Sequence, residues 1–204
     1  MRLQTKLLIA TSNAHKMREY CDLLTGLPIA LTSLPEQVIT VEVEEHGSTF
    51  QENAAIKART YCSISGLLTL ADDSGLEVDV LGGEPGIYSS RYAGPDVSDG
   101  ERIDFLLSKM RDVPWEQRKA HFRAVIAIAD PEGGLWICEG RCEGYVAFQP
   151  RGEHGFGYDP IFYLPDLALT MAELPPFVKN QISHRAEAAC KAGRILAELA
   201  SSLS

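Results

Sequence analysis

The chain has 204 residues, a length that suggests one domain or a compact pair of lobes. With 45% hydrophobic and 23% charged residues it has the composition of an ordinary soluble globular protein. No run approaches the ~18 consecutive apolar residues of a membrane span. A net charge of −9 argues against a nucleic acid polymer, which wants a basic face, yet permits a nucleotide held by a few local cations and a metal. Five scattered cysteines are read as free thiols in a reducing cytoplasm.

Along the chain, Met1–Thr11 carries two basic residues before a short apolar run and lacks a small-residue cleavage site. A first, buried strand over Lys6–Thr11 is the better reading than a signal peptide. Met17, Tyr20, Cys21 and Leu24 recur at helical spacing and predict an amphipathic helix over Ala14–Leu24, closed by Gly26 and Pro28. A second strand is expected at Ile29–Leu34, followed by an acidic connector that includes Glu44 and Glu45.

Thr49-Phe-Gln-Glu52 has the spacing of a capping box and opens a helix to about Ser65. Its apolar stripe is Phe50, Ala54, Ala58 and Tyr61, while Asn53 and Lys57 share another face. Leu67–Ala71 reads as a strand that ends at Asp72-Asp-Ser-Gly75. A Gly/Pro-punctuated segment and a helix over Ser98–Met110 come next. His121–Ala129 and Leu135–Phe148, either side of a Pro/Gly turn, predict an antiparallel hairpin. Cys138 and Cys142 would point to one face of it, but no second pair or nearby His completes a zinc site. A glycine-rich loop, Arg151–Asp159, precedes a short strand at Ile161–Leu164, and a helix over Ser183–Leu199 closes the chain. The pattern is α/β with a central mixed sheet.

Thr11-Ser-Asn-Ala-His-Lys16 joins the first strand to the first helix, where unpaired N–H groups and the positive dipole end suit a phosphate. A well-capped turn with a solvated lysine fits the same residues. Asp72 and Asp73 are two adjacent carboxylates expected at a strand end; such a pair needs solvent, a partner or a cation. They are close enough to titrate together. The alternative is an acidic turn with Gly75 at its bend. Gly152, Gly155 and Gly157 would let backbone approach a ligand, and Phe156 beside them can stack on a base or plug the core. Lys179, Ser183, His184 and Arg185 gather donors at the start of the last helix, where basic residues oppose the dipole and favour an anion; a Ser183 N-cap with flanking basic residues fits the same stretch.

In order along the chain stand TSNAHK (11–16), FQENAAIKA (50–58), LADDSGLEVDVLGGEPGIYSSRYAG (70–94), GFGYDPIF (155–162), MAEL (171–174) and ISHR (182–185). This set, spanning Ile9 to Ala189, resembles the inosine triphosphate pyrophosphatase family, the dITP/XTP pyrophosphatases. His15 departs from the glycine usual in bacterial members, and Pro175-Pro-Phe177 from a more acidic stretch. The resemblance implies one elongated, two-lobed domain over 1–204, with the nucleotide in the cleft between lobes and a homodimeric assembly. It also implies Mg²⁺-dependent hydrolysis of ITP, dITP or XTP to monophosphate and pyrophosphate. Asp73 would bind the metal and activate water with Asp72 beside it, and Glu44 would be the second metal ligand. Thr11, Ser12, Asn13, Ala14, His15, Lys16, Lys57 and Ser74 would grip the phosphates. Phe156 would stack on the purine, Gly157, Tyr158 and Asp159 would shape its pocket, and Lys179, His184 and Arg185 would close over the nucleotide. His184, Arg185 or nearby backbone N–H groups would read the purine C6 oxygen. A pyrimidine-directed housecleaning pyrophosphatase, a non-turning-over nucleotide sensor and an interaction protein are the other classes considered.

Overall fold

A computed structural model describes residues 6–202; the first five residues of the expected opening segment lie outside it. Seven strands form one sheet in the order β2-β1-β3-β4-β5-β6-β7. They are β1 (Lys6–Ile9), β2 (Ala30–Ser33), β3 (Leu68–Val78), β4 (Lys119–Ala129), β5 (Leu135–Val146), β6 (Phe162–Leu164) and β7 (Leu169–Thr170). The helices are α1 (Ala14–Leu23), α2 (Phe50–Ser65), α3 (Asp99–Lys109), α4 (Pro176–Ile182) and α5 (His184–Ser202). β1 runs parallel to both β2 and β3, whereas β6 is antiparallel to β5 and β7, so the sheet is mixed and the class α/β. Among the described residues no helix is long and apolar enough to cross a membrane.

The chain divides into two compact units. The first comprises 1–73, 124–140 and 185–204. Its core joins Leu7 and Ile9 of β1 to Leu68 and Leu70, to Ile126 and Ile128, and to Tyr20, Ala188, Ala192 and Leu196 of the helices. Residues 124–129 of β4 are buried without a break, the pattern of a strand covered on both faces. The second unit comprises 74–123 and 141–184. There Leu76, Val78, Phe122, Val146 and Phe162 pack with Ile103 and Leu106 of α3 and with Met110, its C-cap. Residues 119–123 of β4 alternate in burial, so this end of the strand has one covered face.

Local chemistry sets the helix starts. Asn13 caps α1, its side-chain oxygen accepting from the amides of His15 and Lys16. Ser98 and Glu101 form a reciprocal capping box on α3. On α2 only half of the expected box exists. Thr49 accepts from the Glu52 amide, but the Glu52 carboxylate turns to the amide and hydroxyl of Ser48.

Three further expectations are corrected. Cys21 is exposed, and the buried face of α1 is made by Tyr20 with Met17, Leu23 and Leu24. Ile161 belongs to a 3-10 turn, with β6 starting one residue later. Most consequentially, β3 does not stop before Asp72 but continues through Asp-Asp-Ser-Gly to Val78. Cys138 and Cys142 do share the covered face of β5, both buried.

Candidate active site

Because β3 runs through them, Asp72 and Asp73 project to opposite faces of the sheet. Both are buried, and each has its own partners. Asp72 meets Lys16 of α1 at 2.9 Å and Arg185 of α5 at 3.8 Å. Arg185 is itself fully buried and donates to Glu19 at 2.6 Å. Asp73 accepts from the Asn53 amide at 3.0 Å and lies 4.0 Å from the Lys57 ammonium, both residues being on α2.

These surroundings drive the two carboxyls apart. Burial alone would raise the Asp72 pKa, but Lys16, Arg185 and Lys57 outweigh it and hold the group at about 2. For Asp73, burial dominates, reinforced by Glu45, and the pKa is raised despite Lys57 and the Asn53 hydrogen bond. The leading cation is Lys16 for one and Lys57 for the other. Burial also works against charge on Lys57, yet Asp73, Asp72 and Glu45 together keep its pKa raised.

The acidic connector is clipped along α2. Gly47 donates to the Asn53 side-chain oxygen at 2.8 Å, and the Tyr61 hydroxyl donates to the Val41 carbonyl at 3.0 Å. This places Glu45 against Lys57 at 2.6 Å, while Glu44 is exposed. The carboxylate beside Lys57 and Asp73 is therefore Glu45, next in sequence to Glu44, the expected second metal ligand. Alternation in extended backbone gives neighbours opposite directions, and two adjacent glutamates carry no sequence signal to choose between them.

In the 11–16 turn, Thr11 is half-buried, Ser12 to His15 are exposed and Lys16 is half-buried. The Thr11 hydroxyl accepts from the Asn13 amide at 3.2 Å. The amides of His15 and Lys16 are occupied by the Asn13 side chain, which leaves the Lys16 ammonium as the charge this turn can offer a phosphate. The Arg18 guanidinium donates to His15 Nδ1 at 2.9 Å.

In the second unit, Ser74 follows on β3, half-buried. The Arg151–Asp159 loop is held from within by Asp159, which accepts from the Phe156 amide at 2.9 Å and pairs with buried Lys179 of α4. The Lys179 ammonium also sits 4.8 Å from the centroid of the half-buried Phe156 ring. The Tyr158 hydroxyl donates to the Ser89 carbonyl at 3.0 Å, and burial raises its pKa far above the ordinary tyrosine range. A side chain at Gly152 would strike the Ala172 backbone, and one at Gly155 the Asp159 carboxylate. Those two glycines make room for the protein itself. Buried His184 stacks on Phe122 with centroids 4.7 Å apart. Pro175 and Pro176 simply start α4, where a missing N–H costs nothing.

Thus Lys16, Lys57, Asp72, Asp73 and Arg185 gather in one unit, and residues 156–159 with Lys179 in the other. Arg185 turns its donors to Glu19 and Asp72, so the anion expected at the start of the last helix is supplied by the protein's own carboxylates. Asn53 and Glu45 belong to the first group; the sequence places Asn53 on the face of Lys57 and Glu45 in the acidic connector but gives neither a role in the site.

The sequence model of the Ham1 family matches residues 7–194. A dITP/XTP pyrophosphatase of Geobacter sulfurreducens is 48% identical over 90% of this chain and 92% of its own. One from Bacillus subtilis is 44% identical over 96% and 99%. Among solved structures, a HAM1 protein from Coxiella burnetii superposes with a TM-score of 0.87 at 43% identity, covering 95% of this chain and 99% of its own. The Staphylococcus aureus Ham1 protein gives 0.86 at 39%, over 96% and 100%.

Proposed function

Because this chain belongs to the Ham1 family, we propose that it hydrolyses purine nucleoside triphosphates of the inosine and xanthosine type to monophosphate and pyrophosphate. The observation that carries the mechanism is the contrast between adjacent carboxyls, one held strongly acidic and the other raised. A base that takes a proton from water works best with a raised pKa, so Asp73 is assigned that role. Asp72 stays an anion that holds Lys16 and Arg185 in place. Water attacks the α-phosphorus, the bond to the bridging oxygen breaks, and pyrophosphate leaves with the electron pair.

Mg²⁺ binds through one or two carboxylates, waters and substrate phosphates, not through a full protein cage. Asp73 and Glu45, both drawn to Lys57, fit that sparse requirement, and among the described residues no group of three or more metal-ligating side chains competes. When bound, the cation would neutralise charge on the phosphates. Lys16, Lys57 and the 11–16 turn with Ser74 are assigned to the phosphates, and Phe156 with Gly157, Tyr158, Asp159 and Lys179 to the purine. With Arg185 engaged by carboxylates, His184 and the loop backbone are left to read the C6 oxygen. A homodimer in the cytoplasm, with neither a nucleic acid polymer nor a membrane as partner, completes the reading; net charge −9 and five free cysteines support it.

Glu45→Gln is expected to raise the Mg²⁺ concentration for half-maximal rate at least tenfold, and Glu44→Gln to change it little. The reverse ranking would return the metal role to Glu44. The reaction itself is tested by turnover in ¹⁸O-water. Attack at the α-phosphorus puts the label in the monophosphate, whereas label in pyrophosphate or orthophosphate contradicts the proposal.

A further inference from the structure

Two left-handed residues, Gly155 at φ 76° and Gly157 at φ 63°, flank Phe156 in its loop. Nothing crowds Gly157: a Cβ built there meets no atom within 4 Å. The Phe156 amide is taken by Asp159 inside the loop, but the Gly157 amide is taken from outside. Its acceptor is Asp99, 58 residues away, at 2.6 Å.

Asp99 is the first residue of α3, where a carboxylate is favoured by the helix dipole. Its other oxygen pairs with Arg102, one turn along. Arg102 in turn donates to the carbonyls of Ser90 at 2.8 Å and Val97 at 2.9 Å. The segment Gly86–Arg91 that Arg102 grips also accepts the Tyr158 hydroxyl, through Ser89. Each amide of the Phe156-Gly157 pair thus ends on a carboxylate held by its own cation, Asp159 by Lys179 and Asp99 by Arg102.

The geometry points to Asp99 as a positioning residue for recognition of the purine, with Arg102 fixing its orientation. Asp99 reaches the substrate only through the Gly157 amide: it sets the 156–157 peptide and so the direction in which the Phe156 ring faces. The inference rests on the assignment of Phe156 to the base. It separates the two ends of the substrate, because the groups assigned to the phosphates play no part in this clamp.

The test uses the full-length protein and two probes, ITP and inorganic tripolyphosphate, the latter having phosphates but no base. Asp99→Ala is expected to raise KM for ITP about tenfold while kcat falls less than threefold. The Ki of tripolyphosphate as a competitive inhibitor is expected to stay within twofold. Asp99→Asn, which keeps an acceptor for the Gly157 amide, is expected to recover most of the loss. Arg102→Gln provides a second reading if Asp99→Ala does not fold, with a raised KM and an unchanged Ki expected again. Unchanged KM for ITP, or a parallel loss of ITP and tripolyphosphate binding, overturns the inference. Failure of the wild-type protein to hydrolyse ITP would instead overturn the function on which it rests.

Discussion

Asp73→Asn is expected to remove at least ~10³-fold of kcat for ITP while leaving the protein as stable as before, or more so. The two halves of this result have one cause. Burial raises the Asp73 pKa, so at neutral pH its ionised form is disfavoured in the folded chain relative to the unfolded one. A carboxyl with a raised folded-state pKa contributes stability below its unfolded pKa, and that contribution is lost as pH rises through the folded value. Asparagine does not ionise and escapes the loss. It can still meet the Asn53 side chain, and Lys57 keeps its 2.6 Å contact with Glu45. Thermal denaturation at pH 7 checks the second half: Tm should not fall. A variant that loses activity together with many degrees of Tm would show that Asp73 serves the fold rather than the chemistry.

Asp72→Asn is expected to do the opposite. This carboxylate is the 2.9 Å partner of Lys16 and lies 3.8 Å from the Arg185 guanidinium, in a place where only 2% of the residue is exposed. Breaking one side of such a buried pair leaves uncompensated charge and costs about 3–5 kcal/mol. For a chain of this size that corresponds to a Tm lower by on the order of 10 °C. The pH dependence has the opposite sign as well. With its folded pKa depressed to about 2, Asp72 contributes stability that is present above the ordinary carboxylate range and lost as pH falls through ~4 towards 2. Wild-type protein should therefore lose Tm across that window more steeply than Asp72→Asn does. Equal acid sensitivity of the two would remove Asp72 from its role as the anchor of Lys16 and Arg185.

The cap at Thr49 and the apolar runs that became β1, β4 and β5 were legible because their signals are local. The continuation of β3 was not. Asp-Asp-Ser-Gly has the composition of a turn, and its extended form is held by tertiary partners: Lys16, Arg185 and Asn53 on the aspartates, and the Ser89 hydroxyl on the Leu76 amide. Strand propensity yields to such burial and pairing. The same limit applies to Glu44 and Glu45, which differ only in which one the clip along α2 turns towards Lys57. It applies to Arg185 too, whose dipole-opposing position was noticeable but whose anion proved to be internal. Asp99 lay wholly beyond sequence reading, because nothing local links the first turn of α3 to an amide 58 residues later.

The central claim is a reaction and a substrate class together, so the most direct measurement is a turnover panel with Mg²⁺: ITP, dITP, XTP, ATP, GTP and dUTP, with pyrophosphate and orthophosphate scored separately. A site that offers donors to the C6 oxygen leaves them unpaired against the adenine amino group, a mismatch worth up to ~10⁴ in rate. The account predicts fast release of pyrophosphate from ITP, dITP and XTP, with ATP slower by orders of magnitude. Orthophosphate as the first product, or equal use of ATP, would contradict it.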